Sequence, residues 1–351
     1  LPSYTEIEVS TVCNKKCIHC EYQYWGKSQE RRFLEFDEFV RMAEGFPSLR
    51  WLHLTGEGSS FLNPDYLKML RWAKQRGISV YLVDHLDDMD EPLMRELIEL
   101  GVDGVYISID GASPQTYNAL RVGCDFDRVV SHVRRFVELK RELRSRLPEL
   151  SFRYVITTDN VHEMPAYVDL VASFGTRDEL GDGSRIDFVG VLEFPEIQHL
   201  YVPTIDRAIL DATVERLRHH GLWGFFSHIE EGRNPRSSQC ICWLEPYILM
   251  GGHVLPCCTV LMSNKRPFLR QESFGNLLER PITEVWRSPK YRTFRRIIND
   301  DSKPVPTFCV GCRAYQTAER ERRHGIVRIN DAGTLQQVDR ALRRMAIAKY
   351  V

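Results

Sequence analysis

The stretch Cys13-Asn14-Lys15-Lys16-Cys17-Ile18-His19-Cys20 places three cysteines within eight residues. A short irregular loop can turn all three sulfurs toward one metal centre. Three thiolates are one fewer than an ordinary iron–sulfur cluster or a structural zinc ion takes from protein. A [4Fe–4S] cluster held by Cys13, Cys17 and Cys20 would therefore keep one iron open for a small molecule. The alternative is a zinc site completed by a distant fourth ligand.

Strands and helices alternate outward from this loop, along residues 5 to 220. Thr5–Val12 predicts a strand that runs directly into the cysteine loop. Further apolar, β-branched strands are predicted at Arg50–Gly56, Ser79–Asp84, Gly104–Asp110, Ser151–Thr158 and Arg185–Glu193. Helices are predicted at Glu35–Phe46, Pro64–Gln75, Glu91–Leu100, Pro114–Leu120, Phe126–Arg144, from His162 onward and at Ile205–His220.

Six β-then-α units with nearly continuous apolar strands predict a buried parallel sheet. Such repeats wind into an open doubly wound sheet or into a barrel, and periodicity alone does not distinguish the two. In both architectures ligands bind at the carboxyl ends of the strands. The cysteine loop follows the carboxyl end of the first predicted strand, so its position agrees with a ligand site.

Composition limits the class of protein. The 351 residues are 43% hydrophobic and 27% charged, which is typical of a soluble globular chain with one large or two ordinary domains. The formal net charge of -1 gives no global field for nucleic acid or an anionic membrane. No apolar run is long enough to span a bilayer, and no secretory signal is evident. Ten cysteines in close clusters favour metal sites over disulfides, and oxygen-labile clusters need a reducing compartment, so we expect the cytoplasm.

A second cysteine-rich region follows Glu230–Gln239, a polar segment that predicts a linker. Its six cysteines are Cys240, Cys242, Cys257, Cys258, Cys309 and Cys312. Tyr247–Met250 and His253–Leu255 flank Gly251-Gly252 and predict a β-hairpin that returns the chain to the metal. One cysteine pair near the hairpin and one C-x2-C pair predict a four-thiolate site. From the residues alone, zinc fits this site as well as an iron–sulfur cluster does.

The C-x3-C-x2-C spacing of the first three cysteines, with the strand before it, resembles the radical SAM superfamily. In that family S-adenosylmethionine (SAM) chelates the open iron of a [4Fe–4S] cluster through its amino and carboxylate groups. The resemblance implies an α/β fold, a partial (β/α)6 TIM-type barrel, which we expect over residues 1–225.

The C-terminal cysteines resemble the twitch half of the SPASM/twitch extension of that family, whose pattern is C-x9–15-G-x4-C followed by C-x2-C. The resemblance implies a small cysteine-rich domain over residues 236–316 with one auxiliary [4Fe–4S] cluster. The implied ligands are Cys242, Cys257, Cys309 and Cys312. Cys240 and Cys258 are neighbouring thiols, either of which could replace an implied ligand. Residues 317–351 predict a charged helical tail, and its basic face favours solvent over nucleic acid.

The resemblance also implies contacts to SAM. Gly56 and Glu57 look like part of the family's Gly-Gly-Glu motif, which binds the methionine amino group; Thr55 replaces the first glycine. The alternative is an ordinary turn between a strand and a helix. Ser108 and Asp110 look like the serine-x-aspartate element near the SAM ribose and methionine.

Two further residues match positions near SAM. Arg121 matches an arginine that pairs with the SAM carboxylate, which a planar guanidinium suits; the alternative is a surface arginine. His19 precedes the third cysteine, where the family prefers an aromatic ring against adenine. We interpret His19 as a packing residue and not as a metal ligand.

Three residues are candidates for the catalytic step. After the third strand many family members have Thr-Asn-Gly, whereas this chain has Asp84 and His85. These two predict an acid–base or substrate-orienting pair, and the alternative is a solvent-facing turn. Cys124 lies outside both cysteine clusters. It predicts a buried thiol or, more specifically, a donor of a hydrogen atom to a substrate radical.

The resemblance implies reductive cleavage of SAM to a 5′-deoxyadenosyl radical, which abstracts hydrogen from an unactivated C–H bond. A flavodoxin or ferredoxin is the expected electron donor, and the auxiliary cluster suits net oxidation, as in the aminocyclitol dehydrogenase of the butirosin pathway. The first strand begins by residue 5 and leaves no room for a leader-binding domain, so a small polar substrate such as a sugar or aminocyclitol is expected. A ribosomal peptide is the alternative substrate. A zinc-binding, non-catalytic scaffold is the alternative class.

Overall fold

The computed structural model describes residues 1–25, 30–191, 194–227, 240–262, 264–310, 312 and 317–329. The predicted linker Glu230–Gln239 and the predicted tail beyond residue 329 lie outside the described residues. Within these ranges, no helix is long and apolar enough to cross a membrane.

The described chain contains eleven strands and thirteen α-helices, numbered in chain order. The strands are β1 (Tyr4–Glu8), β2 (Trp51–Thr55), β3 (Ser79–Asp84), β4 (Gly104–Ser108), β5 (Glu149–Ile156), β6 (Ile186–Gly190), β7 (Gly224–Ser227), β8 (Tyr247–Leu249), β9 (His253–Leu255), β10 (Val305–Pro306) and β11 (Ile326–Val327). The helices are α1 (Glu21–Trp25), α2 (Phe36–Glu44), α3 (Tyr66–Gln75), α4 (Glu91–Glu99), α5 (Pro114–Leu120), α6 (Phe126–Glu142), α7 (Met164–Ala172), α8 (Arg177–Leu180), α9 (Arg207–His220), α10 (Arg266–Glu272), α11 (Ile282–Arg287), α12 (Pro289–Ile297) and α13 (Thr317–His324).

Two compact units make up the chain. The larger comprises Val9–Phe36 and Arg50–Arg233, and the smaller comprises Leu1–Glu8, Asp37–Leu49 and Asn234–Val351, as far as these ranges are described. The domain boundaries expected from the sequence stay a prediction.

The larger unit is built on six parallel strands in the order β7-β6-β5-β4-β3-β2. Alternate side chains of these strands form its core, as in Leu52, Val80 and Val105, which have no solvent exposure. The strands are connected by helices with clear start signals. Ser113 caps α5, for example, by accepting a hydrogen bond from the Thr116 N–H, and Pro114 occupies the first turn. This parallel α/β arrangement is that of a partial TIM-type barrel, which confirms the predicted fold class.

One strand of this unit was not predicted. The predicted alternation ends at His220, whereas β7 follows α9 and pairs in parallel with β6. The strand has only four residues, Gly-Phe-Phe-Ser, and its Phe225 is 57% exposed. A strand so short and so exposed has no buried apolar run, which is the signal that predicted the other strands.

The smaller unit contains the predicted hairpin. β8 pairs in parallel with β1 and antiparallel with β9. Gly251 and Gly252 form the turn with φ angles of +89° and +87°, which strongly favour glycine. Glu8 at the end of β1 accepts hydrogen bonds from the Arg266 guanidinium and from the Met250 N–H, and all three residues are buried. This bidentate ion pair joins β1, the hairpin and α10 inside the unit.

Candidate functional site

The first three cysteines lie in an irregular loop that is tied to the carboxyl ends of the larger unit's strands. The Val9 N–H donates to the carbonyl of Thr55, the last residue of β2, at 2.7 Å. The Ile18 N–H donates to the carbonyl of Leu120, at the end of α5, at 3.0 Å. Because both ends of the loop are held by other segments, the fold fixes the cysteines where parallel α/β proteins bind ligands.

Gly58 allows the cysteine loop to approach the turn after β2. A Cβ atom at this position would lie 2.5 Å from Ser10 Oγ and from the backbone of Val12, so no side chain fits. Gly56 and Glu57 belong to the same turn and are half-buried. The turn therefore supports the loop, in addition to the SAM contact predicted for Gly56 and Glu57.

Burial controls the ionisation of the three thiols. It raises the pKa of Cys13, Cys17 and Cys20, most strongly that of Cys20. For Cys13 the Lys15 N–H, which lies 3.4 Å from the sulfur, and the Lys15 charge oppose this effect. For Cys20 the carboxylates of Glu21 and Glu57 add to it. Thiolates are the metal ligands, so metal binding here releases protons.

Among the residues that the structure describes, no group of three or more His, Cys, Asp or Glu side chains is arranged to hold a metal ion. A four-iron cluster does not require sulfurs that converge on one point, because each thiolate binds a different iron.

Lys15 anchors the cysteine loop through one buried and one partly exposed ion pair. Its Nζ lies 2.5 Å from Asp87 Oδ2 and 2.9 Å from Asp88 Oδ1. The Asp87 side chain is fully buried and also accepts hydrogen bonds from the Asp125 N–H and the Arg128 guanidinium. Burial acts to raise the pKa of Asp87, but these partners prevail and lower it. The network joins the cysteine loop to the loop after β3 and to the start of α6.

Asp110 brings three predicted cofactor residues together. Its fully buried carboxylate accepts a hydrogen bond from Arg121 Nε at 2.5 Å and lies 3.3 Å from His19 Nε2. Burial opposes ionisation, but the Arg121 charge and His19 hold the pKa of Asp110 at about 2. Arg121 is itself buried, so the alternative of a surface arginine is wrong. Its pairing with the SAM carboxylate stays a prediction. Ser108, also buried, ends β4.

His85 and Asp84 are both buried, so the alternative of a solvent-facing turn is wrong. Asp84 Oδ1 accepts a hydrogen bond from the Leu86 N–H at 2.6 Å and shapes the turn after β3. His85 Nδ1 accepts from the Asp87 N–H at 3.0 Å, so the ring proton lies on Nε2. Within the described residues, His85 Nε2 is buried and has no hydrogen-bond partner.

Several buried polar atoms of this unit have no hydrogen-bond partner among the described residues. They include His19 Nδ1, His85 Nε2 and Thr157 Oγ1. His85 directly follows β3, and Thr157 directly follows β5. A buried polar group without a partner costs about 1–3 kcal/mol, so such atoms at the ligand edge fit a site where polar ligands supply the partners. The sequence did not single out Thr157, because the predicted strand Ser151–Thr158 included it; the structure ends β5 at Ile156.

Cys124 lies beside the first cysteine site. Its side chain is buried, and burial raises the pKa of its thiol to about 12, although the Arg121 charge acts in the opposite direction. The Cys17 sulfur and the Asp87 carboxylate contribute to this raised pKa. Cys124 is therefore a neutral thiol near the site, and its role as a hydrogen-atom donor stays a prediction.

Five of the six C-terminal cysteines line one cavity. They are Cys240, Cys242, Cys257, Cys309 and Cys312. The other lining residues are mainly apolar: Trp243, Pro256, Thr259, Val260, Phe294 and Ile298. Cys258 is absent from the described residues that line this cavity. The structure thus brings together the four implied ligands. Four thiols fit an iron–sulfur cluster, and Cys240 adds a fifth thiol at the cavity.

Local backbone geometry explains the motif around these cysteines. The positive φ of Gly252 favours glycine in the Gly-x4-Cys motif, and a Cβ atom there, 2.4 Å from Asn276 Oδ1, would displace the Asn276 amide. Asn276 Nδ2 donates to the Gly251 carbonyl at 2.8 Å. At the other end of the site, the Cys312 N–H donates to the Cys309 carbonyl at 3.1 Å and closes a turn between the two cysteines.

Two family models match the chain. The model described as the radical SAM superfamily matches residues 7–171, and the model described as the SPASM iron–sulfur cluster-binding domain matches residues 240–313. A curated relative, the tungsten-containing aldehyde ferredoxin oxidoreductase cofactor-modifying protein of Pyrococcus furiosus, is 24% identical over 87% of this chain and 86% of its own length.

Solved structures show the same fold. SuiB of Streptococcus suis, bound to its precursor peptide SuiA, aligns with a TM-score of 0.67 at 15% identity and covers 91% of this chain and 71% of SuiB. The structure of anSMEcpe with bound AdoMet aligns with a TM-score of 0.58 at 16% identity and covers 99% of this chain and 98% of anSMEcpe. At these sequence identities the similarity shows a shared fold and nothing more.

Proposed function

We propose a reaction class for this chain, which belongs to the radical SAM superfamily and carries a C-terminal SPASM iron–sulfur domain. Its cofactors are SAM, a SAM-binding [4Fe–4S] cluster and auxiliary iron–sulfur in the SPASM domain. In the proposed reaction, the enzyme removes a hydrogen atom from a C–H bond of a small polar substrate of sugar or aminocyclitol type. Net oxidation or a related radical rearrangement follows.

The residues of the first site have different roles in the proposed reaction. Cys13, Cys17 and Cys20 would hold the SAM-binding cluster and leave one iron without a protein ligand. When bound, that cluster supplies the electron that cleaves SAM and so provides a 5′-deoxyadenosyl radical. Lys15 and Asp87 keep the cysteine loop in place through their buried ion pair. This rigidity serves the exclusion of water from the radical.

The observation that carries the proposed substrate class is the pair of unpartnered polar atoms at His85 and Thr157, since neither residue matches a SAM-binding motif of the family. His85 Nε2–H is a donor, and Thr157 Oγ1 is both donor and acceptor. Buried donors and acceptors require polar partners, and a molecule rich in hydroxyl or amino groups provides them.

The relatives support a small-molecule substrate. The Pyrococcus furiosus relative is named as a protein that modifies a cofactor, and it matches most of this chain. A peptide substrate has no comparable support, because SuiB is only 15% identical and shows the fold alone. We propose a flavodoxin or ferredoxin as the electron donor, since the first cluster must be reduced by one electron for each cleavage of SAM.

An anaerobic assay tests this function. Reconstituted protein is incubated with dithionite, SAM and perdeuterated sugars or aminocyclitols, and 5′-deoxyadenosine is measured by mass spectrometry. We expect the substrate to increase 5′-deoxyadenosine and to transfer deuterium into it, with neither effect in Cys17→Ala. Absence of 5′-deoxyadenosine above that control would contradict the activity. Deuterium transfer into 5′-deoxyadenosine from deuterated peptides, and from no sugar or aminocyclitol, would contradict the substrate class.

A further inference from the structure

The cavity of the SPASM domain contains one cysteine more than a four-iron cluster uses. Cys257, Cys309 and Cys312 line the cavity and are three of the implied ligands. Both Cys240 and Cys242 line it as well, so each is a candidate for the fourth ligand. The C-x9–15-G-x4-C spacing does not decide between them, because nine residues separate Cys242 from Gly252 and eleven separate Cys240 from Gly252.

Cys240 is held in place from within the same unit. Its N–H donates to Asn299 Oδ1 at 2.7 Å, and Asn299 Nδ2 donates to its carbonyl at 3.1 Å. Asn299 lies just after α12, and the neighbouring residues Phe294 and Ile298 line the cavity. One side-chain amide therefore binds both polar groups of the Cys240 backbone and fixes this cysteine relative to the cavity wall.

One residue separates Cys240 from Cys242, and both cysteines line the same cavity. Two thiols this close in the chain and at one cavity can each reach the same iron. Cys258 differs: it is adjacent to an implied ligand in sequence but absent from the described lining of the cavity. Adjacency in the chain therefore does not by itself place a thiol at the site.

We propose that Cys240 and Cys242 are alternative ligands to the same iron of the auxiliary cluster. The exchange breaks one Fe–S bond and forms another, the proton of the incoming thiol passes to the leaving thiolate, and no electron is gained or lost. The thiol that is not bound to iron donates a hydrogen bond to the bound sulfur. Hydrogen bonds to cluster sulfurs raise the reduction potential, which favours a cluster that accepts an electron.

Iron content tests the proposal without SAM or substrate, so its outcome is independent of the proposed substrate. Protein is reconstituted anaerobically as wild type, Cys240→Ala, Cys242→Ala and the double variant, and iron, sulfide and EPR spectra are measured. We expect about eight irons, from two four-iron clusters, in the wild type and in both single variants. We expect about four in the double variant. The proposal is overturned if either single variant falls to about four irons or if the double variant keeps eight.

Cys258 is the matched control. Cys242→Ala combined with Cys258→Ala should keep about eight irons, because Cys240 remains at the cavity. A fall to about four would make Cys258 the replacement ligand and overturn the proposal.

In a redox titration, Cys240→Ala should shift the reduction potential of the auxiliary cluster to more negative values. An unchanged potential would contradict the proposed hydrogen bond to the bound sulfur.

A second route keeps the test valid if the cysteine double variant does not fold. Asn299→Ala removes the amide that holds the Cys240 backbone and leaves every cysteine in place. Alone it should retain about eight irons through Cys242, whereas with Cys242→Ala it should fall to about four. Retention of eight irons in the combined variant would show that the Asn299 contact does not position Cys240 as a ligand.

Discussion

The two cysteine-rich sites differ in the number of thiols and in the side chains around them. The first site has three cysteines in a loop that is fixed by buried charges, Lys15 with Asp87 and Asp110 with Arg121. The second has five cysteines in a cavity with mainly apolar walls. Buried polar atoms without partners lie near the first site and include His85 Nε2.

The number of thiols and the polarity of the surrounding side chains suit a different role at each site. A site with fewer thiols than irons leaves one iron open to a ligand. The unpartnered polar atoms beside that site can form hydrogen bonds with bound polar ligands. A site with a surplus of thiols has no iron left for a ligand. Its apolar walls keep water away, which suits a centre that exchanges electrons. Five predictions test the two sites and their surroundings, from the largest expected effect to the smallest.

Loss of the first cluster should abolish all radical chemistry. In Cys13→Ala/Cys17→Ala/Cys20→Ala we expect iron to fall from about eight to about four and 5′-deoxyadenosine to disappear. The reason is that SAM has no other open iron. Iron analysis and mass spectrometry check this outcome, and residual 5′-deoxyadenosine would place SAM cleavage elsewhere.

Loss of the auxiliary cluster should separate SAM cleavage from product formation. Cys309→Ala/Cys312→Ala should also fall to about four irons, since two thiolates are lost. It should still release 5′-deoxyadenosine, because the first site is intact, while the oxidised product is lost. Both products are measured in one reaction by mass spectrometry. Full loss of 5′-deoxyadenosine in a folded variant would contradict the division of roles.

Removal of a charge from the buried network should destabilise the larger unit. Asp87→Asn removes the fully buried carboxylate that pairs with Lys15 and Arg128 and leaves Lys15 only the partly exposed Asp88. Breaking a buried pair costs up to about 3–5 kcal/mol of unfolding free energy. The control is Asp65→Asn, which breaks a pair with Lys68, a side chain that is 60% exposed; such a pair contributes about 1 kcal/mol or less. Urea unfolding of both variants measures the difference, and equal costs would contradict the anchoring role of Lys15.

The same carboxylate sets a pH dependence. Since its partners lower the folded-state pKa of Asp87, its contribution to stability is present above the unfolded-state value of about 3.9 and is lost as the pH falls toward the folded-state value. Asp87→Asn should flatten the decline of stability in this acid range. An unchanged slope would show that Asp87 ionisation does not stabilise the fold.

The smallest effect is expected at His85. Loss of one hydrogen bond to substrate in His85→Ala should cost about 1–2 kcal/mol, roughly a 5- to 30-fold loss in turnover. Iron content should stay the same. His132→Ala is the control, because His132 Nδ1 lies 2.7 Å from the Leu86 carbonyl next to His85 and is not part of the proposed site. Equal turnover in His85→Ala and the wild type would remove His85 from the site.

The sequence predicted the elements with strong local signals. The bounds of β3 and α5 agree with the prediction, because β3 is bounded by breakers and α5 begins with Ser113 and Pro114. The parallel fold followed from the apolar strands. The short exposed strand β7 was missed because its residues carry no burial pattern.

The parts of the sites that depend on distant contacts could not be predicted. Lys15 and Asp87 are 72 residues apart, and nothing local marks them as partners. The sequence likewise could not separate Cys240 from Cys258, because each lies next to an implied ligand. The fold separates them, since Asn299 binds the Cys240 backbone from the far end of α12.

The most direct measurement of the central claim is EPR spectroscopy of the reduced Cys309→Ala/Cys312→Ala variant with and without SAM. Only the first cluster remains in this variant, and the account predicts that SAM changes its spectrum because the cofactor binds the iron that the protein leaves open. The spectrum of Cys13→Ala/Cys17→Ala/Cys20→Ala, with only the auxiliary cluster, should not respond. A first-site spectrum that is identical with and without SAM would contradict the account.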